Sequence, residues 1–379
     1  MINIQYINKD SEYFEFITKL SRAESFAIDL EFDSNHHHYG FNLCLMQIYC
    51  GSEAFLVDPL AVDARLIFPF LEDEKIKKVV FSFGEDLRLL HSMGCKPKNI
   101  YDISTAVKLL NYEKISLADV LNKNMNVKLE KGSQKSDWCK RPFTEKQKLY
   151  AANDVVYLFD LMRIVREQAS DNGISEWIEE ENKDLENINS NEKTINTIKQ
   201  KDRYKMTEFQ WFFYQEIWKL RERKAEDFDK PAHQIINNEF LKEIAFDPQL
   251  IRNWKNNKFI HHSLKNDSFG RQIYKIYKKC EKEAEIVGIS KTKPQIKVLS
   301  KEELKKIRER KKYIESVKEK VFKPIQNCIK RDYGEYAYTH ILSNKTMEEI
   351  IEGKPVLQYK INLILKYARE TRIDVKEFF

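Results

Sequence analysis

The chain has 379 residues, a hydrophobic fraction of 42% and 23 phenylalanines, which is enough apolar material for folded cores and excludes a disordered chain. At roughly 100 to 200 residues per domain, this length predicts two or three domains. Residues 1–170 carry 22 Lys and Arg against 24 Asp and Glu, whereas residues 171–379 carry 43 against 35, so the net charge of +6 arises in the second half. This division favours chemistry in the first half and contact with a polyanion in the second.

Several classes of protein are excluded by motifs that the sequence lacks. No stretch approaches the ~18 consecutive apolar residues of a membrane span, and the first residues contain no apolar signal region, so we expect a cytoplasmic protein without a membrane partner. The six cysteines are far apart and form no C-x-x-C, so we expect reduced thiols. No G-x-G-x-x-G or G-K-[ST] motif occurs, so we expect no nucleotide cofactor.

The first half contains short segments rich in aromatic and β-branched residues, and helical patterns follow them. Thr144 and Gln147 form a capping box at the start of the firmest helix. The order of the elements predicts an α/β domain over residues 1–170. The predicted strands cover residues 25–33, 42–49, 53–58 and 77–83, and the predicted helices cover about 62–71, 84–93, 103–111, 116–124 and 144–168.

The second half shows no strand pattern. Residues 171–205 are polar and predict a helix end followed by a linker, residues 206–290 predict several short helices, and residues 300–379 predict a last helical domain. Residues 301–313, KEELKKIRERKKY, mix charges of both signs, as a solvated helix does, although the clustered Lys and Arg would also suit RNA.

Carboxylates at three places in the first half suggest a metal site. Asp29 and Glu31 alternate on a hydrophobic strand and therefore point to one face, where two carboxylates are costly without a cation. Mg²⁺ and Mn²⁺ prefer such oxygen ligands. Asp86 begins the helix after the strand at 77–83, where it could also be an ordinary residue favoured by the helix dipole. Tyr150 and Asp154 lie four residues apart on one helix face.

This ordered set resembles the catalytic motifs of ribonuclease D, a family of DEDDy 3′→5′ exonucleases. The likeness extends to the segment Leu129–Trp138, to the run from Arg141 to Gln147 and to Tyr150-Ala-Ala-Asn-Asp-Val-Val-Tyr-Leu. The resemblance implies a ribonuclease H-like domain, with a mixed sheet flanked by helices. The runs at 220–225, 229–231 and 240–245 resemble the helicase-and-ribonuclease-D C-terminal (HRDC) domain, and residues 300–379 would be a second, divergent copy.

By this resemblance, Asp29, Glu31, Asp86 and Asp154 are expected to hold two divalent ions, Mg²⁺ or Mn²⁺, with Asp29 bridging them. Tyr150 would orient the attacking water. Paired ions of this kind clamp the attacking and leaving oxygens of a phosphoryl displacement. The expected product is a 5′-mononucleotide released from a 3′ end.

Other residues are candidates for contact with nucleic acid. Phe81 stands where members of the family often carry His, and its ring could stack on a base. Lys131 and Arg141 could contact phosphates. The run His36–His38 is expected to be a solvated loop, because Mg²⁺ sites do not favour imidazole.

Together these observations predict a metal-dependent 3′→5′ exoribonuclease that acts on RNA with a free 3′ end, such as tRNA precursors. The sequence leaves two alternatives open. A DNA 3′→5′ exonuclease would use the same carboxylates, because they contact the phosphodiester and not the sugar. A nucleic-acid-binding module with an inactive nuclease fold would have lost a metal ligand, and all four acids are present.

Overall fold

The computed structural model describes residues 3–129, 132, 136–188, 198–294 and 300–379. The chain divides into two compact units. Residues 1–31, 43–190 and 304–379 form the first unit, and residues 32–42 and 191–303 form the second. In the described parts of the chain, no helix has both the length and the apolar character needed to cross a membrane.

A six-stranded mixed sheet is the centre of the α/β fold. Its strand order is β1-β4-β3-β2-β5-β6, with β1–β4, β2–β5 and β5–β6 parallel and β3–β4 antiparallel. The predicted mixed sheet flanked by helices is therefore confirmed. The strands are β1 (Asn3–Ile7), β2 (Ser25–Ser34), β3 (Phe41–Cys50), β4 (Glu53–Val57), β5 (Lys77–Val80) and β6 (Ile100–Asp102).

The sheet register brings the carboxyl ends of three strands to one edge. Ala27 of β2 pairs with Val79 of β5, and Val80 of β5 pairs with Asp102 of β6. Because these strands are parallel, the segments that follow each of them emerge on the same side of the sheet. Polar residues at this edge can therefore lie close together although the chain places them far apart.

Helices of the first unit cover the sheet, and further helices of this unit lie in the C-terminal part of the chain. A π-helical turn, Lys318–Phe322, joins α13 to α14, and the 3₁₀ helices Ala64–Ile67 and Lys376–Phe378 are short. The α-helices are α1 (Asp10–Leu20), α2 (Phe68–Glu72), α3 (Gly84–Ser92), α4 (Ile103–Leu109), α5 (Leu117–Met125), α6 (Glu145–Val156), α7 (Leu158–Asp171) and α8 (Ser175–Leu185), followed after the second unit by α13 (Lys301–Val317), α14 (Lys323–Tyr333), α15 (Ala337–Ile341), α16 (Asn344–Ile351) and α17 (Gln358–Thr371).

The second unit is helical around its own core. Phe213 and Tyr214 are fully buried there, and Arg221 is buried with its guanidinium over the ring of Trp218. Its α-helices are α9 (Glu208–Asp227), α10 (Ala232–Ile235), α11 (Asn238–Phe246) and α12 (Asp267–Val287), with 3₁₀ helices at Gln200–Lys205, Pro248–Asn256 and His262–Leu264.

The His36–His38 loop belongs to this second unit and is ordered by a buried acid. The Asp33 carboxylate, 4% exposed, accepts hydrogen bonds from the backbone N–H groups of His36, His37 and His38. His38 Nδ1 lies 2.6 Å from Asp229 Oδ2. The loop is therefore held by hydrogen bonds to two carboxylates.

The structure contains elements that the sequence patterns missed. Strands β1 and β6 and helix α1 have no counterpart among the predicted elements, and α8 is a separate helix where only a helix end is predicted. The helix predicted over 144–168 is divided into α6 and α7 at Tyr157. Tyr157 has φ −94° and ψ −7°, outside ideal helical geometry. Strand β6 has only three residues, too few for an alternating pattern.

The state of two cysteines corrects the expectation of six reduced thiols. Cys44 of β3 and Cys139, in the segment before α6, form a disulfide, and Cys50, Cys95, Cys280 and Cys328 are free. The fold brings the two Cα atoms to 4.9 Å although 95 residues separate them in the chain. Such a pairing depends on tertiary contacts and has no signature in the spacing of the cysteines.

Residues 304–379 share one hydrophobic core with the α/β part of the first unit. Val107 of α4 and Val165 of α7 belong to the same cluster as Ile329 of α14 and Ile364 of α17. Trp177 of α8 stacks on Tyr359 of α17, with ring centroids 5.0 Å apart. The C-terminal helices are therefore part of the body that carries the sheet.

Candidate active site

Three carboxylates from two elements converge at the edge of the sheet. Asp29 and Glu31 lie on β2 and Asp154 lies on α6, and one ligand oxygen from each lies within 4.8 Å of the others. All three side chains are partly exposed, so a ligand can reach them. Among the residues that the structure describes, this is the only group of three or more His, Cys, Asp or Glu residues close enough to share a metal ion.

Asp86 adds a fourth carboxylate to this group. It lies in the first turn of α3 and is 7% exposed; its charge acts on Glu31, and the charge of Asp29 acts on it. Its Oδ1 atom is buried and has no hydrogen-bond partner among the described residues. A buried carboxylate oxygen of this kind is costly unless a cation or a hydrogen-bond donor is supplied.

Burial and mutual repulsion raise the pKa values of the four carboxyl groups, so four negative charges at this site are unfavourable. Burial raises the pKa of Asp29 to about 7, and burial together with the charge of Asp29 raises the pKa of Asp154 to about 8. The pKa values of Glu31 and Asp86 are raised well above their ordinary range by burial and by neighbouring carboxylates. The protein supplies too little positive charge here, as expected for a site whose compensating charge comes from a bound cation.

Tyr150 lies beside the carboxylates on α6. Its ring centroid is 6.0 Å from that of Trp138, which is 3% exposed and also packs against Phe143. Burial and then the charges of Asp154, Glu31 and Asp29 raise the pKa of the Tyr150 hydroxyl. The hydroxyl therefore stays protonated at neutral pH and can donate a hydrogen bond.

Asp102 is a residue of the site region that the sequence interpretation missed. It is 3% exposed at the end of β6, and its carboxylate accepts hydrogen bonds from the N–H groups of Ser82 (2.9 Å), Phe83 (3.0 Å) and Ser104 (2.8 Å). Ser82 has φ +59°, a strained conformation for this residue. Asp102 thus holds the turn from which α3 presents Asp86. In the sequence, Asp102-Ile103-Ser104 is typical of a helix N-cap. This pattern gives no information about the contact with Ser82, twenty residues earlier.

The three expected nucleic-acid contacts have different environments. Phe81 follows β5 and is half-buried against the core of the first unit. Lys131 lies outside the described residues. Arg141 uses its guanidinium within the protein, since it forms two 2.6 Å hydrogen bonds to Asp58 and donates to the backbone oxygens of Trp138, Lys140 and Cys44. It shapes the segment before α6 and has no free donor for a phosphate.

Comparison with known proteins connects this geometry with a family. Residues 4–169 match the model of the 3′-5′ exonuclease family. Residues 4–169 are therefore similar to 3′-5′ exonuclease domains, and we refer to them as the exonuclease domain. All four carboxylates and Tyr150 lie within it.

Related sequences agree with this assignment and confirm the resemblance to ribonuclease D. The exonuclease domain and the residues after it are similar to ribonuclease D of Zymomonas mobilis subsp. mobilis, with 31% identity over 240 residues, 61% of this chain and 60% of that protein. The chain spans about three-fifths of the length of the curated relatives that it matches.

Two solved structures have the same fold over nearly the whole chain. The crystal structure of Escherichia coli RNase D has a TM-score of 0.68 and 19% identity, covering 96% of this chain and 99% of that one. A protein from Bifidobacterium adolescentis has a TM-score of 0.72 and 16% identity, covering 98% and 99%. The fold of this chain therefore also occurs in other proteins.

The donor set of the exonuclease domain fits a divalent metal ion. It consists of carboxylate oxygens, with no sulfur or imidazole in the grouped set, and such a set suits Mg²⁺ or Mn²⁺. The buried Asp86 Oδ1 without a partner and the raised carboxylate pKa values both indicate a missing positive charge.

Proposed function

We propose that the chain is a metal-dependent 3′→5′ exoribonuclease that releases 5′-mononucleotides from the 3′ end of RNA. The observation that carries this proposal is the grouping of Asp29, Glu31 and Asp154 within a 3′-5′ exonuclease domain. Similarity to ribonuclease D of Z. mobilis supports RNA as the substrate. Precursors of tRNA are the proposed natural RNAs, and the cytoplasm is the proposed location.

The proposed ligands are Asp29, Glu31, Asp86 and Asp154, which would hold two Mg²⁺ or Mn²⁺ ions. When bound, such ions lower the pKa of water and neutralise charge on the phosphoryl group. The charge of Asp29 raises the pKa values of both Asp86 and Asp154, so Asp29 would be available to both ions. The Tyr150 hydroxyl, fixed by the packing of its ring on Trp138, would orient the attacking water by a hydrogen bond.

The helical residues outside the exonuclease domain are proposed to be HRDC-like, at 206–290 and 300–379, after a helix end and linker at 171–205. The second unit has its own buried core, as an independent binding domain requires. These residues are proposed to hold RNA while the carboxylates act on its 3′ end.

The decisive experiment compares RNA and DNA strands of the same sequence, each labelled at the 5′ end, in Mg²⁺ and in Mn²⁺. We expect RNA to be shortened stepwise from its 3′ end with release of 5′-mononucleotides, and more slowly when the 3′-hydroxyl is blocked. Asp29→Asn, which keeps the size of the side chain, is expected to lower the rate by about 100-fold or more.

The other outcomes distinguish the two alternatives. Faster digestion of DNA would replace the proposal by a DNA 3′→5′ exonuclease with the same ligands. Absence of metal-dependent release from every 3′-hydroxyl substrate would overturn the proposal in favour of an inactive binding module.

A further inference from the structure

Among the described residues, no element covers the start of α13, residues 301–313. Every residue from Lys301 to Tyr313 is exposed, including the apolar side chains of Leu304 (38%) and Ile307 (43%), and the helix is first buried at Val317. A helix in a globular protein usually gains its stability by burying one face. In the described chain, α13 begins with a capping box instead: Glu303 N donates to Ser300 Oγ, and Ser300 N donates to the Glu303 carboxylate.

The exposed part of α13 carries a dense positive charge. We define residues 305–312 as the basic segment, which contains six cations and one carboxylate, a net charge of +5. Lys305, Arg308 and Lys312 follow each other at i, i+3 and i+7 and therefore form one stripe along the helix. Lys306 and Arg310, four residues apart, form a second stripe.

Few carboxylates of the described chain neutralise this charge. Lys305 lies 3.9 Å from Glu309, at the limit of an ion pair, and the charge of Arg310 acts on Glu352. Cations at i, i+3 and i+4 repel each other and destabilise the helix that carries them. A polyanion bound along the helix would remove this repulsion.

We infer that the basic segment binds the phosphate backbone of the RNA substrate, as a second contact besides the carboxylate site. This inference rests on the proposed function. Lys305 and Lys312 are about 10 Å apart along the helix axis at 1.5 Å per residue, so the stripe can contact several phosphates. Lys and Arg side chains that contact phosphates read no base identity, so the contact does not depend on sequence.

The test uses two variants with the same loss of charge. In the first, Lys305, Arg308 and Lys312 are all replaced by Gln, a good helix former. In the control, Lys9, Lys19 and Arg65 are replaced by Gln; each of these exposed cations is paired with a carboxylate, at 3.1, 2.7 and 2.8 Å. Binding of a single-stranded RNA is measured in EDTA between 50 and 200 mM KCl, and helix content by circular dichroism.

We expect the basic-segment variant to bind RNA on the order of tenfold more weakly, with a salt slope smaller by about 2, since each phosphate contact to a single strand contributes about 0.7. The control variant should match the wild type. All three proteins should hydrolyse the p-nitrophenyl ester of thymidine 5′-monophosphate at equal rates, because this small substrate occupies only the carboxylate site.

Two outcomes would overturn the inference in distinguishable ways. If the wild type degrades RNA and hydrolyses the ester but the basic-segment variant keeps its RNA affinity and salt slope, the proposed function stands and the inference fails; the exposed Leu304 and Ile307 would then indicate a protein partner. If the wild type hydrolyses neither the ester nor RNA, the proposed function itself fails and the inference fails with it.

Discussion

At the scale of single residues, the carboxylate site is costly in the metal-free protein. The folded-state pKa values of Asp29 and Asp154, about 7 and about 8, lie far above the ordinary values near 4. A carboxyl group whose pKa is higher in the folded protein than in the unfolded chain favours folding while it is protonated. This contribution to stability is fully present below the pKa of the unfolded state and is lost as the pH rises through the pKa of the folded state. The metal-free site therefore destabilises the fold progressively between about pH 4 and pH 8.

The first prediction follows from this loss of stability with rising pH. Asp154→Asn imitates the protonated acid, so in EDTA its melting temperature should equal that of the wild type near pH 4 and exceed it by several degrees at pH 8. Thermal unfolding of both proteins from pH 4 to 8.5 measures this difference. With Mg²⁺ at pH 8, the wild type should regain stability, because the cation binds only the deprotonated carboxylates. A constant difference at all pH values would contradict the assignment of the raised pKa to this site.

The Tyr150 hydroxyl gives a second prediction at this scale. Since its pKa is raised by burial and by three carboxylates, it acts as a hydrogen-bonding group and not as a base. Tyr150→Phe keeps the packing on Trp138 and should lower kcat by about 100-fold while leaving the melting temperature within one degree. Steady-state rates and thermal unfolding provide the two readouts. A variant with wild-type kcat would exclude the hydroxyl from catalysis.

At the scale of elements, the site depends on where strands end. The sequence predicted that Asp29 and Glu31 share a face of a strand, because this follows from the alternation of side chains alone. It also predicted the capping box at Thr144 and Gln147, which the structure confirms. Asp102 could not be predicted as a positioning residue, because its partners Ser82 and Phe83 are brought to it by the pairing of β5 with β6. Long-range strand pairing is not encoded in local patterns.

The third prediction concerns this positioning by Asp102. Asp102→Asn replaces one acceptor oxygen by a donor facing a backbone N–H, so the turn before α3 should shift and Asp86 with it. The Mg²⁺ concentration for half-maximal activity should rise about 10- to 100-fold, and kcat at saturating Mg²⁺ should largely recover. Asp63→Asn is a matched control, because Asp63 is exposed and caps the 3₁₀ helix Ala64–Ile67. A lowered kcat with unchanged Mg²⁺ dependence would contradict the positioning role.

At the scale of the whole molecule, the C-terminal helices belong to the body that carries the exonuclease domain. The Asn111 side chain accepts hydrogen bonds from the backbone N–H groups of Tyr336 and Ala337, at 2.7 and 3.1 Å. Lys360 Nζ lies 2.9 Å from Glu181, whose pKa is lowered by the charges of Lys360 and His340 despite its burial. No pattern in the sequence indicates these contacts, because the segments that meet are more than 170 residues apart in the chain.

The last prediction is that a chain ending at residue 303 cannot retain a stable exonuclease domain. Removing residues 304–379 would expose the faces of α4, α7 and α8 that the C-terminal helices cover, and would leave Glu181 without its cations. We expect the melting temperature to fall by more than ten degrees or cooperative unfolding to be lost, and ester hydrolysis to fall with it.

Trp177→Ala is the milder variant, which removes the stacking on Tyr359 and should cost about 3 kcal/mol. Tyr204→Ala, at a side chain that is 70% exposed in the second unit, should leave the stability unchanged. Full activity and a wild-type melting temperature in the shortened chain would show that the exonuclease domain is stable without these helices.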